Sequence, residues 1–69
     1  MTQRERILKY LDDFGSITPM QAFSDLGITK LATRISEMIR SGDKIRKVPQ
    51  ESRNRYGETV RFMRYEKAV

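Results

Sequence analysis

Basic side chains dominate the last third of this 69-residue chain, and they are its clearest chemical signal. The sequence holds 14 Lys and Arg against 9 Asp and Glu, which gives a net charge of +5. Residues 1–43 are electrically balanced, so the whole excess lies in residues 44–69. Clustered Arg and Lys suit the phosphates of a polyanion. The alternative is a small basic domain whose charged edge strand only prevents aggregation. We favour the polyanion.

A first group of candidate contacts lies at helical spacing, on the polar face of an amphipathic segment near the middle of the chain. Its members are Thr29, Lys30, Thr33, Arg34 and Glu37. Arg34 can bind a guanine through two hydrogen bonds, and Lys30 a guanine or a phosphate. Glu37 can accept from a cytosine amine, repel phosphate, or pair with Arg34 or Arg40. The competing interpretation is a solvated polar face, which every amphipathic helix has.

A second group lies around the segment Arg-Asn-Arg-Tyr-Gly at residues 53–57, which is typical of a hairpin tip. Arginines there can follow a phosphate backbone or enter a narrow minor groove, and Tyr56 can stack or contact a sugar. Asn54 more often serves a turn than a base. The alternative is a loop that is disordered or orders only on contact. The full second group is Arg46, Lys47, Arg53, Asn54, Arg55, Tyr56 and Arg61.

Several function classes find no support in the sequence. The absence of Cys and His argues against a zinc site and the usual catalytic triads, so we predict no metal, no cofactor and no enzymatic activity. Asp12 and Asp13 are adjacent and diverge around a helix, and no glycine-rich phosphate loop is present. No apolar run approaches the roughly 18 residues of a membrane span, and the N-terminus lacks the apolar core of a signal peptide. We therefore predict a soluble cytoplasmic protein that does not bind membranes.

Three helices are predicted to position the first group. A capping box from Thr2 to Glu5 begins a helix over residues 3–14, which ends at Gly15. Thr18, followed by Pro19, begins a second helix over residues 19–26. A third helix covers residues 30–41, with Thr29 as its predicted cap. The predicted apolar faces are Ile7, Leu8, Leu11 and Phe14; Ala22, Phe23 and Leu26; and Leu31, Ile35, Met38 and Ile39.

The link between the second and third helices is the most informative local feature. A helix of eight residues is unstable alone, so it must pack at once against its neighbours. Gly27 and Ile28 leave too little chain for an antiparallel return, which forces a steep crossing with Ile28 turned inward. Two helices joined at a steep angle by about three residues with a glycine form a helix-turn-helix. The outer face of the third helix would then project as a recognition helix.

The remainder predicts a β-hairpin. A strand over residues 43–48 reaches Pro49, which implies either a strand end or a sheet edge. A loop over 49–57 and a strand over 58–65 complete it, and the pattern alone does not define which faces point inward. Residues 1–69 thus form one α+β domain, a winged helix-turn-helix with three helices followed by a two-stranded hairpin wing. Its aromatic core candidates are Tyr10, Phe14, Phe23, Phe62 and Tyr65.

The segment from residue 15 to residue 45 also resembles the small winged helix-turn-helix domains that are common in phage and prophage proteins. Tyr56-Gly57 and the late Tyr65 resemble the hairpin of that family. The resemblance implies a bacterial or phage DNA-binding regulator. Most matching positions are core or capping residues and therefore report the fold: Gly15, Ser16, Ile17, Thr18, Ala22, Leu26, Gly27, Ile28, Leu31, Ala32, Arg34, Ile35, Gly42 and Ile45.

We therefore predict binding to double-stranded DNA, in transcriptional or recombination control in a phage or bacterium. The alternative from another class is a protein-docking winged helix that inhibits or redirects a host enzyme, with its basic wing on an acidic surface. Structured RNA is a third and weaker possibility. Specific DNA binding would gain from a homodimer, but no dimerisation helix is evident. The target sequence and the sign of regulation cannot be deduced from these residues.

Overall fold

Three helices and a three-stranded antiparallel sheet build the protein, in a computed structural model that describes residues 1–68. The strands are β1 (Ser16–Ile17), β2 (Ile45–Arg53) and β3 (Thr59–Lys67), and their order in the sheet is β1-β3-β2, with β3 in the centre. This arrangement confirms the predicted α+β winged helix and adds a third strand to it. The elements in chain order are α1 (Gln3–Phe14), β1 (Ser16–Ile17), α2 (Pro19–Leu26), α3 (Leu31–Arg40), β2 (Ile45–Arg53) and β3 (Thr59–Lys67).

The first two helices have the predicted bounds because their caps are complete. The Thr2 hydroxyl accepts from the Glu5 amide at 3.1 Å, and the Glu5 carboxylate accepts from the Thr2 amide at 2.9 Å. The hydrogen bond from the Thr2 amide to the carboxylate lowers the pKa of Glu5. Thr18 and Gln21 form the same reciprocal pair at the start of α2. Each capping box satisfies two amides that have no partner within their helix.

The third helix is shorter than predicted and starts without a side-chain cap. It runs from Leu31 to Arg40 rather than over 30–41, and Lys30 occupies the N-cap position. The predicted capping role of Thr29 is therefore wrong. Thr29 lies one residue before the cap, where its hydroxyl is not placed to receive the second or third helical amide. Its side chain is exposed.

The turn between α2 and α3 has the predicted helix-turn-helix construction. Gly27 adopts a left-handed φ of 69° and donates its amide to the Phe23 carbonyl at 3.1 Å. With Gly27 left-handed, the Gly27–Phe23 bond closes α2 in an αL motif, and the Ile28 amide makes a further hydrogen bond to the Ala22 carbonyl at 3.0 Å. Ile28 is 1% exposed and thus fills the space between the helices, as predicted.

The strands differ most from the sequence prediction. Ser16 and Ile17 pair with Glu66 and Tyr65, so the short link after α1 is a true strand. The hairpin strands run over 45–53 and 59–67 rather than 43–48 and 58–65, which shortens the predicted 49–57 loop to residues 54–58. Pro49 lies inside β2 because β2 is an edge strand, where a missing amide breaks no ladder.

The core lies between the helices and one face of the sheet. The prediction that Phe14, Phe23 and Phe62 belong to the core is wrong, because their side chains are 69%, 61% and 37% exposed. Ile39, which was predicted on the buried face of the third helix, is also exposed. Phe14 is the last residue of α1, nearly a turn beyond buried Leu11, where the sheet and helices no longer cover it. The buried residues are Ile7, Tyr10, Leu11, Ile17, Ala22, Ile28, Leu31, Ile35, Met38 and Tyr65.

Polar contacts join elements that are distant in the chain. The Tyr10 hydroxyl donates to Asp25 at 2.6 Å and ties α1 to α2, which raises the pKa of Tyr10. Arg4 donates two hydrogen bonds to Asp43, at 2.8 and 2.9 Å, and so holds the segment after α3 against α1. The guanidinium lowers the pKa of the Asp43 carboxyl.

Candidate nucleic-acid interface

The outer surface of α3 is defined by the side that its core residues occupy. Leu31, Ile35 and Met38 are buried, so side chains about half a turn away from that stripe point outward. Thr33 and Glu37 are exposed on this outer side, and Lys30 is exposed at the helix start. Four of the five predicted recognition residues, including Thr29, are therefore open to a ligand, while Arg34 is only partly so.

Arg34 is already engaged by a neighbour on its own helix. One terminal nitrogen, Nη1, donates to both oxygens of the Glu37 carboxylate, at 2.7 and 3.1 Å. The Nε atom of Arg34 is buried and has no hydrogen-bond partner among residues 1–68. Its side chain lies in a shallow groove against the start of α1, with Gln3 and Arg4 opposite. Of the roles considered for Glu37, the structure thus shows the pairing with Arg34.

Arg40 also lies on the outer surface of α3, although it was not among the predicted recognition residues. It follows Leu31 by nine residues, or about two and a half helical turns, and therefore projects opposite the buried stripe. Arg40 is exposed, and it makes no ion pair within residues 1–68. The sequence does contain this information, because the nine-residue separation from Leu31 is enough to place Arg40 on the outer side of a helix.

The hairpin register separates its basic residues onto two faces. Residues directly opposite in an antiparallel pair share a face, and alternate residues in a strand share one too. Lys47 pairs with buried Tyr65, and two strand positions further along Glu51 pairs with Arg61. Lys47, Arg53 and Arg61 thus face the helical side of the sheet. Arg46 lies on the opposite face and donates to Glu66 at 2.7 Å.

The hairpin tip is an ordered turn that Asn54 builds. Its side-chain oxygen accepts from the amides of Tyr56 and Glu58, at 2.9 and 3.0 Å. The Asn54 amide donates to the Glu58 carbonyl at 3.0 Å, which leaves a three-residue turn at 55–57 within the loop. Gly57 adopts a φ of 76°, the left-handed conformation that such a turn needs at its end. Arg53 donates to the Gly57 carbonyl at 3.1 Å. Asn54 is therefore occupied by the turn, while Tyr56 is 82% exposed beside Arg55.

Ion pairing leaves a defined set of uncompensated cations. Arg61 pairs with Glu51 at 3.2 Å, and Lys67 pairs with Asp12. Seven basic residues make no ion pair within residues 1–68, and all but Arg6 lie at the ends of α3, in the link after it or in the hairpin. These residues are Arg6, Lys30, Arg40, Lys44, Lys47, Arg53 and Arg55. The free positive charge therefore concentrates on the two predicted contact regions.

Other kinds of site find no counterpart in the described chain. No cluster of acidic side chains within residues 1–68 is arranged to hold a metal ion. Among the helices of the same residues, none combines the length and apolar character that crossing a membrane requires.

A helix-turn-helix followed by an antiparallel hairpin defines the class of winged helix-turn-helix proteins, whose architecture binds DNA in general. Comparison with protein families agrees, because the model of a family described as "Winged helix-turn-helix domain" matches residues 2–66. The chain belongs to this family. Comparisons with curated proteins and with solved structures gave no match.

Proposed function

We propose that this protein binds duplex DNA, with α3 in the major groove and the hairpin along the phosphate backbone. The observation that carries the proposal is the set of uncompensated cations at both ends of α3 and along the hairpin. Phosphate contacts supply most of the affinity for DNA, and they need positive charge that the fold has not already neutralised.

Each region has a distinct role in this proposal. Lys30 and Thr33, in the first half of α3, meet base edges, because the N-terminal part of a recognition helix reaches deepest into the groove. Arg34 joins them once it leaves Glu37. Arg53 and Arg55 contact phosphates or a narrow minor groove, and the exposed Tyr56 ring packs on a sugar.

The biological setting we propose is transcriptional or recombination control in the cytoplasm of a bacterium or of a phage-infected cell. The resemblance to phage and prophage winged helices supports it. The role is that of a binding protein rather than an enzyme.

A fluorescence-anisotropy titration with labelled duplex DNA, between about 50 and 200 mM salt, tests the proposal. The logarithm of the association constant should fall linearly with the logarithm of salt concentration. The double variant Arg53→Ala with Arg55→Ala should reduce that slope by about 1.8, because each phosphate contact contributes about 0.9. Lys67→Ala is the control, since Lys67 pairs with Asp12 and lies at the end of β3 that is remote from the hairpin tip.

A salt slope near zero, or an equal loss of affinity in the Lys67 control, would contradict the proposal. Sequence discrimination is measured in the same assay with a panel of duplexes. Lys30→Ala should weaken the preference among these duplexes, whereas the hairpin variant should weaken all of them about equally.

Docking to a protein is the second candidate, and the hairpin tip is the observation that favours it. Tyr56 is 82% exposed between Arg55 and Gly57, and Tyr and Arg are the residue types that dominate protein-protein contacts. Pull-down from host lysate with and without nuclease separates the two functions. Capture that survives nuclease and is lost in Tyr56→Ala, combined with weak, unselective DNA binding, would favour docking on a host enzyme.

A further inference from the structure

An open groove of about 540 Å³ lies between α1 and α2, away from α3 and the hairpin. Its charged residues comprise two cations and two carboxylates, although the whole chain carries +5. This α1–α2 groove is therefore a neutral surface on a basic protein, and it does not suit a polyanion. The residues that define it are Arg6, Lys9, Tyr10, Asp13, Phe14 and Asp25.

Phe14 forms the apolar centre of the groove, and its ring packs against that of Tyr10. Its side chain is 69% exposed, and its ring centroid lies 4.6 Å from that of Tyr10. Tyr10 is buried and held by its hydrogen bond to Asp25. Met1, 71% exposed, lines the same groove. Large exposed apolar side chains that are rimmed by polar groups mark a protein contact.

We propose that a second copy of this chain occupies the α1–α2 groove, with the two α1 helices antiparallel about a two-fold axis. A two-fold interface uses the same patch on both subunits, so the patch must complement itself. Arg6 and Asp13 lie about two turns apart along α1. Antiparallel pairing brings Arg6 of each copy against Asp13 of the other, and it moves each Phe14 towards the end where Met1 of the other copy lies.

The charged groups of the groove are available to form ion pairs with a second copy. Arg6 makes no ion pair within residues 1–68, and the only ion pair of Asp13 there is a 4.0 Å contact with Lys9. A partner of a single charge sign would leave half of these groups buried and unmatched, which is costly. A patch of both signs is satisfied by its own rotated copy.

Such a dimer would present two copies of α3. Dimeric helix-turn-helix proteins bind two half-sites about one helical turn apart, or a multiple of it. This consequence rests on the proposed function, whereas the dimer itself does not.

Sedimentation equilibrium of the full chain without DNA tests the dimer. Arg6→Glu and Asp13→Arg should each raise the dimer Kd about tenfold or more, because each breaks two symmetric pairs. The double charge swap should return Kd to within about threefold of the original, since the pairs reform with opposite polarity. Phe14→Ser should also weaken the dimer, and Lys44→Glu is the matched reversal outside the groove.

Circular dichroism of each variant tests whether the fold is retained. If one of the two single charge reversals unfolds the protein, the double charge swap still tests the proposed pairs. A chain that stays monomeric up to about 1 mM overturns the proposal. A dimer that ignores Phe14→Ser and both reversals also overturns it, because another face must then mediate association. DNA titrations of Phe14→Ser report separately on the proposed function, since Phe14 lies outside the predicted DNA contacts.

Discussion

Replacing Glu37 by Gln is the most informative single change on α3. The substitution keeps the size and polarity of the side chain but removes its negative charge. It also weakens the hold on Arg34, whose Nη1 donates to both Glu37 oxygens. We expect tighter DNA binding and nearly unchanged stability, because an exposed pair three residues apart on a helix contributes only about 0.2–0.5 kcal/mol.

The size of the gain is worked from Coulomb's law for a bound state that brings Glu37 to about 7 Å from two phosphates. Two unit charges about 7 Å apart in water interact by about 0.6 kcal/mol, so removing repulsion from two phosphates contributes about 1.2 kcal/mol. Release of Arg34 from a pair whose side chains are 41% and 48% exposed adds at most about 0.5 kcal/mol. The total of about 1–2 kcal/mol corresponds to a Kd lower by about 5- to 30-fold.

Anisotropy titrations at about 50 mM salt are the suitable assay, because screening at higher salt hides the effect. The double variant with Arg34→Ala separates the two contributions, since only the repulsion remains when Arg34 is absent. Unchanged or weaker binding of Glu37→Gln to every duplex would refute the reasoning. A loss of preference for one duplex would instead show that Glu37 accepts from a cytosine amine.

Three further changes test the fold that supports the site. Tyr10→Phe should cost about 1–2 kcal/mol of unfolding free energy, because the hydroxyl donates to the Asp25 carboxylate, and thermal melting would record it. Gly57→Ala should cost about 1–2 kcal/mol through backbone strain alone, since φ is 76° and no atom of residues 1–68 lies within 4 Å of the new Cβ; faster amide exchange in the hairpin would show it. Asp43 has a lowered pKa beside Arg4, so its stabilisation is complete above the unfolded pKa of about 4 and is lost as pH falls through the folded value. The urea concentration at the unfolding midpoint should therefore fall with decreasing pH in the original protein, and it should fall less steeply in Asp43→Asn.

The helical half of the protein was predictable because its signals are local. Each capping box and the turn at Gly27 and Ile28 act through residues at most six apart, and the structure has them as predicted. Thr29 shows the limit of such reasoning. A threonine before an apolar residue resembles a cap, yet the entry angle of α3 leaves Lys30 in that position.

The sheet was less predictable because its pairing is not local. Ser16 and Ile17 look like a short link, and they become a strand only through Glu66 and Tyr65, some fifty residues later. Pro49 was correctly seen as compatible with an edge, but the choice between an edge and an end depends on partners that the pattern does not show. The face of the hairpin that points towards the core was also undetermined by the sequence pattern. It follows from the pairing of Tyr65 with Ile17, because both side chains are buried.

The residues that specify this fold are not the ones that would read DNA. α2 is too short to persist alone, so its capping residues and the buried Ile28 serve to hold α2 and α3 together. These interactions determine where α3 lies, and they leave its outer side unconstrained, because Thr33 and Arg40 are exposed. Membership in a family therefore transfers the scaffold to this chain, whereas base preference depends on side chains that the scaffold does not need. Arg34 and Arg40 belong to this second group: within the described residues Arg34 is paired with Glu37 and Arg40 makes no ion pair, and neither core packing nor capping decides that difference.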